Sequence, residues 1–250
     1  MTGRGRGGDG QGRGGEETVL LLFAKAQENR QTPASNPSNA EMMNQGPYRL
    51  LHVGCGQKTS ADLPPPFNQP PWQEVRLDID PVLQPDIVAS ITDMRVIPDG
   101  SVHGVYSAHN IEHLYPHEVE VALAEFIRVL APNGVAVITT PDLEMIAEAI
   151  LQGRLMDTVY TAPAGPVAPI DMLYGYSPSL AQGHLTMAHR TGFTATSLVV
   201  ALRKAGFANV AACSDKFWAV WAVASRSDED GEAVQTLVKD LALRAYPATA

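Results

Sequence analysis

Five short apolar runs lie between Tyr48 and Asp142, and their character sets the strongest limit on what this chain can fold into. They are YRLLHVG (48–54), EVRLDID (74–80), DIVAS (86–90), SVHGVYSAH (101–109) and GVAVITTPD (134–142). YRLLHVG, DIVAS and GVAVITTPD are nearly continuous in apolar residues, whereas EVRLDID alternates; continuous runs belong to strands buried on both faces, and such strands make parallel sheets. The segment from Pro116 to Leu130 carries Val119, Leu123, Phe126, Ile127 and Leu130 at helical spacing, with APNG as its expected stop. By contrast, the proline-rich ADLPPPFNQPPW between the first two runs leaves room only for a short helix. A further helix over Thr194 to Ala205 is closed by Gly206, and two more runs, ANVAACSD and FWAVWAVAS, follow with a very short link. So short a link permits only an antiparallel pair. The expectation is an α/β fold with a mostly parallel seven-stranded sheet that ends in an antiparallel hairpin, covered by helices on both faces.

With 250 residues, 45% hydrophobic and 18% charged, the chain can bury one substantial core. Residues 1–15, MTGRGRGGDGQGRGG, are too poor in apolar groups to offset the entropy of ordering, and residues 16–30 have the pattern of a short amphipathic helix. Residues 31–46 read as a linker. The folded domain is expected over 47–226, with a long insertion at 143–192, and a C-terminal helix within 227–250. TVLLLFA (18–24) is too short to span a bilayer, follows Glu16 and Glu17, and lacks a cleavage site, so neither membrane nor secretion is expected. Cys55 and Cys213 lie far apart in unrelated contexts, which suits a reducing cytoplasm better than a disulfide framework. A net charge of −9 argues against a general nucleic-acid binder.

In open α/β sheets ligands bind beyond the carboxyl ends of the strands. The first run exits into GCG, where Gly54 and Gly56 on either side of Cys55 let backbone approach a ligand closely. A dinucleotide motif would place a third glycine where Thr59 stands. The second run ends LDID, putting Asp78 where a carboxylate can accept from both hydroxyls of a ribose, with Ile79 beside it; Asp80 is secondary and suits a turn cap. The fourth run enters HNIEHLYPH, with histidines at 109, 113 and 117 and Glu112 among them. On a helix, H-x-x-E-H would present two imidazoles to zinc with the glutamate as general base, as in a peptidase. No downstream glutamate is singled out as a third ligand, and a short polar helix carrying histidines by chance explains the pattern equally simply.

LHVGCG, LDIDP, DIVASITDM, DGSVHGVYSAHNIEHL, RVLAPNGVAVITTPDLE and HRTGFTATSLVVALRKAGF occur in that order. Together they resemble class I S-adenosylmethionine-dependent methyltransferases, particularly the type 11 branch, over about residues 48–225. The resemblance implies a Rossmann-like doubly wound fold and S-adenosylmethionine as cofactor. It implies that Gly54, Cys55 and Gly56 hold the methionine part, Asp78 and Ile79 the ribose side, and Ser90, Ile91 and Thr92 the adenine. In this setting Glu112 and His113 begin a helix beside the cofactor, and no metal is expected. Two positions depart from the pattern: His52 stands where an acid is usual, and Ser90 where an aspartate is common, with Asp93 three residues on.

Methyl transfer needs alignment of nucleophile, methyl and sulfur more than it needs a base. His109, at the mouth of the fourth strand, is the candidate base and equally a cofactor contact. The insertion offers Tyr174, Tyr176, His184 and His189 to line an acceptor pocket, and Asp142, at the carboxyl end of the fifth strand, is expected to face the same pocket. A small molecule or glycan-like acceptor is expected. A cofactor-binding relative without activity and an H-x-x-E-H zinc peptidase remain as alternatives.

Overall fold

Strand β1 (Tyr48–Val53) lies inside the sheet, flanked on both sides, with Leu50, Leu51 and Val53 fully buried. The structure is a computed structural model that describes residues 47–244; the expectations for 1–46, including the short helix and the linker, and for 245–250 lie outside the described residues. β1 pairs in parallel with β2 (Trp72–Asp78) on one side and with β4 (Val102–Ala108) on the other. The short β3 (Ile87–Val88) extends the sheet beyond β2, and β5 (Leu130–Pro141) lies beyond β4. The chain therefore moves outward from β1 through β2 to β3, then crosses back to build the other half. That reversal opens a crevice at the carboxyl ends of β1 and β4.

Two antiparallel strands close the far edge, after the small hairpin of β6 (Tyr160–Ala162) and β7 (Gly165–Val167). These are β8 (Asn209–Ser214) and β9 (Ala219–Ser225), and the sheet order is β3-β2-β1-β4-β5-β9-β8. This is the expected doubly wound, mostly parallel seven-stranded sheet ending in an antiparallel hairpin.

Helix α1 (Pro116–Val129) starts on a proline that needs no donor, and Glu118 Oε2 accepts the Tyr115 N–H at 2.8 Å. α2 (Leu143–Leu151), α3 (Pro169–Tyr174) and α4 (Ser177–Ala181) belong to the insertion. α5 (Ala195–Ala205) is capped by Thr194 at one end and by the left-handed Gly206 at the other. α6 (Gly231–Arg244) completes the fold after a 3-10 turn over Asp228–Asp230. Helices α1 and α5 bury Leu123, Phe126, Leu198 and Leu202 on one face of the sheet. On the other face, α6 buries Val234, Leu237 and Leu241, beside Phe67 and Trp72 from the proline-rich segment. As expected, that segment holds only a 3-10 turn, Ser60–Asp62.

One expectation is corrected. APNG does not stop α1: Leu130 is already extended, and Ala131–Gly134 form the irregular start of β5, with a register shift against β4. Burial of Leu130 fixes this, since a Cβ at Gly134 would lie 2.7 Å from Leu130 Cδ2, and Arg226 donates to the Leu130 carbonyl at 2.6 Å. Residues 143–192, the expected insertion, have regular structure of their own. They form helices and a hairpin around Ile146, Val167 and Met172. Among the described residues no helix is long and apolar enough to cross a membrane.

Candidate active site

The loop leaving β1 turns through two left-handed glycines, Gly54 (φ +61°) and Gly56 (φ +56°). A Cβ on Gly54 would fall 2.5 Å from the Asn110 side chain, whereas a Cβ on Gly56 would meet nothing within 4 Å. One glycine thus admits a neighbouring strand exit, and the other faces open space. The Gly56 N–H donates to Asp78 Oδ2 at 2.9 Å, while Asp78 Oδ1 accepts the Asp80 N–H at 3.0 Å. Cys55, between the glycines, is buried, and burial pushes its thiol pKa up. Asp80 accepts the Val82 N–H at 2.9 Å, the turn-cap role expected of it.

Arg76 holds the same loop from outside, and sequence reasoning missed it. Its guanidinium donates to the carbonyls of Gly56 (2.7 Å), Lys58 (3.0 Å) and Gln84 (3.1 Å), a fork that a single ammonium could not reproduce. His52, at the unusual position in β1, is buried and its Nδ1 lies 2.6 Å from Glu74 Oε1 on β2. The adjacent strand thus sets an acid beside that position. Burial lowers the His52 pKa more than Glu74 raises it, so the contact is a neutral imidazole donating to a carboxylate.

Beyond Asp78, Ile79 is 64% exposed, an apolar side chain with no protein cover. After β3, the hydroxyls of Ser90 and Thr92 bond each other at 2.7 Å, and Ile91 is buried. Asp93 turns away to pair with Arg95 at 2.7 Å in solvent, so it does not replace the missing aspartate.

At the exit of β4, His109 adopts φ +50°, a strained value for a non-glycine residue, and is half exposed. Asn110 presents a buried Nδ2 without a partner beside Gly54. Ile111–His113 form a single 3-10 turn, and the α-helix begins only at Pro116. The expected helix carrying H-x-x-E-H is therefore absent, and with it the one-face spacing that a zinc peptidase needs. His117 instead stacks on Tyr115 at 5.9 Å.

Glu112 is 1% exposed, and neither carboxylate oxygen has a hydrogen-bond donor. The His109 Nδ1 contact, at 3.4 Å, is an ion-pair approach too long and misdirected to count as one. Burial would raise the Glu112 pKa, but His109 and His113 together outweigh it and hold the carboxyl below its usual range. His189, from the end of the insertion, reaches this point: its ring lies 5.0 Å from that of His113. Arg190 and Thr191 donate their N–H groups to the Glu112 carbonyl at 2.8 and 3.2 Å, which straps the insertion to the β4 exit. Burial lowers the His189 pKa.

The other insertion residues divide. Asp142 caps α2 through Oδ1, accepting the Glu144 N–H at 2.8 Å, and its buried Oδ2 has no partner. Tyr174 is 60% exposed. Tyr176 is spent on the β6–β7 hairpin, donating to the Ala164 carbonyl at 2.7 Å, and His184 contacts Ser179 in solvent. Among the described residues, the buried side-chain polar atoms without partners all fall on Ser107, Asn110, Glu112, Thr139, Thr140 and Asp142, at the carboxyl ends of β4 and β5 and just beyond. Unpaired buried groups are costly, and their concentration at one edge marks it as a place for a ligand.

Residues 51–138, from within β1 to within β5, match the family described as methyltransferase domain. Over that stretch the chain is similar to a methyltransferase domain. Among curated proteins none matches it in sequence. Solved structures with a similar fold include the PH0226 protein of Pyrococcus horikoshii (15% identity, 86% of this chain and 91% of that one, TM-score 0.47). A SAM-dependent methyltransferase from Archaeoglobus fulgidus is 14% identical over 82% of this chain and 94% of that one, TM-score 0.46. The 1,6-didemethyltoxoflavin-N1-methyltransferase of Burkholderia thailandensis, solved with that compound and S-adenosylhomocysteine, is 13% identical over 86% and 78%, TM-score 0.45.

The resemblance to methyltransferases implies S-adenosylmethionine as methyl donor, and the residues at the carboxyl edge fit it. The space at Gly56 is open, Ile79 offers an uncovered apolar surface, and Asn110 holds an unused donor. A carboxylate has roughly four acceptor positions, so Asp78 keeps capacity beyond its two backbone donors.

Proposed function

We propose that the chain transfers a methyl group from S-adenosylmethionine to a small-molecule or glycan-like acceptor. The observation that carries this reading is the join between Gly56 and Asp78, which couples the glycine loop to the ribose-binding carboxylate at the crevice where the sheet reverses. The cofactor supplies an electrophilic sulfonium methyl. Asp78 accepts from the ribose hydroxyls, Ile79 packs on the adenine, and Ser90, Ile91 and Thr92 line the ring through backbone and hydroxyl groups. Asn110 donates Nδ2 beside the glycine loop. His109 receives the proton released by a hydroxyl or amine acceptor. Tyr174, Asp142 and the strapped segment around His189 border the acceptor.

Calorimetric titration with S-adenosylmethionine and S-adenosylhomocysteine tests the cofactor half, followed by an acceptor screen for methyl transfer. Micromolar binding of both supports the reading. A folded protein that binds neither overturns it, and one that binds both but methylates no small molecule or glycan is a binding relative without activity.

A further inference from the structure

We infer that Glu112, His113 and His189 form a binding site for a divalent transition-metal cation. One ligand-type atom from each of the three lies within 4.8 Å of the other two, although His189 comes from the far end of the insertion. A tetrahedral ion with metal–ligand bonds near 2.0–2.1 Å would draw these atoms to about 3.3 Å from one another. The resemblance spoke against a metal, and the sequence singled out no downstream glutamate as a third ligand; the fold brings up a histidine instead.

Three features beyond proximity point to a cation. The Glu112 carboxylate is 1% exposed and neither oxygen accepts a hydrogen bond, its nearest basic contact being His109 Nδ1 at 3.4 Å, so it keeps acceptor capacity for a cation. Next, each imidazole has its tautomer set from behind. His189 Nδ1 lies 2.7 Å from the Met172 carbonyl, and His113 Nδ1 lies 3.3 Å from the Ala188 carbonyl. A carbonyl can only accept, so both rings donate through Nδ1 and keep a lone pair on Nε2, as a metal-ligating histidine requires. Finally, the cluster is clamped: Arg190 donates its N–H to the Glu112 carbonyl and its guanidinium to the His113 carbonyl at 2.9 Å, fixing His189 against the turn.

Two neutral imidazoles and one carboxylate select zinc, manganese, iron or cobalt over calcium or magnesium. Three protein ligands leave further coordination positions for water. His109 stands beside the site, with Nδ1 at 3.4 Å from Glu112 Oε1, and is not needed as a ligand.

The test is calorimetric titration of the full, chelator-stripped chain with zinc chloride and, separately, manganese chloride, with bound metal counted by mass spectrometry and folding followed by circular dichroism. The expected result is saturable uptake of one ion per chain and a rise in melting temperature. Glu112→Gln and His189→Gln should each bind at least about tenfold more weakly, since even a supporting residue behind a ligand changes affinity by that much. His184→Gln should take up metal as the parent does. Failure of the parent to bind either ion, or parental affinity in a folded His189→Gln, overturns the site. Because no methyl donor or acceptor is present, the outcome is independent of the methyl-transfer reading.

Discussion

Gly56 donates its backbone N–H to Asp78 Oδ2 at 2.9 Å, so the two halves of the proposed cofactor cradle are one hydrogen-bonded unit. Asp78→Ala therefore removes a ligand contact and releases the loop. Loss of a hydrogen bond to a charged group costs about 1.5–3 kcal/mol, or roughly ten- to a hundredfold in the Kd for S-adenosylhomocysteine. Asp80→Ala removes only the cap on Val82 and should leave that Kd within about twofold while lowering stability by about 1 kcal/mol. Equal Kd values for parent and Asp78→Ala would show that the ribose assignment is wrong.

Asn110→Ala separates binding from folding. Nδ2 already lacks a partner, so its removal should change the melting temperature little, whereas the affinity for S-adenosylhomocysteine should fall about five- to tenfold for one lost neutral bond. Calorimetry and a thermal melt on the same sample decide it; a large loss of stability with unchanged affinity would make Asn110 structural.

Arg76→Met leaves the Gly56, Lys58 and Gln84 carbonyls without their shared donor. A cost of about 1.5–3 kcal/mol corresponds to a fall of roughly 3–10 °C in melting temperature for a domain of this size. Arg76→Lys should recover little of it, because one ammonium cannot reach three carbonyls in a planar fork. Full recovery by lysine would mean that charge alone, not the fork, holds the loop.

His52 should make stability depend on pH. Its folded pKa is lowered, mainly by burial, below the unfolded value near 6.5. The unfolded chain then binds more protons over that interval, so stability rises with pH there. The contribution is fully present above about pH 6.5 and is lost as pH falls through the folded pKa. Denaturant unfolding at pH 7.5 and at pH 5, for the parent and His52→Asn, isolates the effect. The parent should lose more stability than the variant on acidification; parallel losses would place the titrating group elsewhere.

The apolar runs reported their own burial, so the strands and the parallel sheet were legible before any contact was known. The very short link between ANVAACSD and FWAVWAVAS required the antiparallel end for the same kind of local reason. Gly54, Gly56 and Asp78 were legible because a turn at a strand exit needs glycine and the next strand's end needs an acceptor at a set distance along the chain. The end of α1 was misread, because APNG carries local stop signals while the burial of Leu130 on the sheet decided where the helix gave way to strand.

What the sequence by itself determined is the order of strands and helices and the glycine turn and carboxylate at the first two strand exits, since both follow from local periodicity and turn geometry. Only the tertiary structure decided that Glu74 stands against His52, that Arg76 pins the glycine loop, that Asn110 lies against Gly54 and that His189 reaches Glu112 and His113. The physical reason is that these pairs come from different elements, and their distances depend on how the sheet aligns its strands and how the insertion is strapped back onto the β4 exit. No periodicity within either partner carries that information.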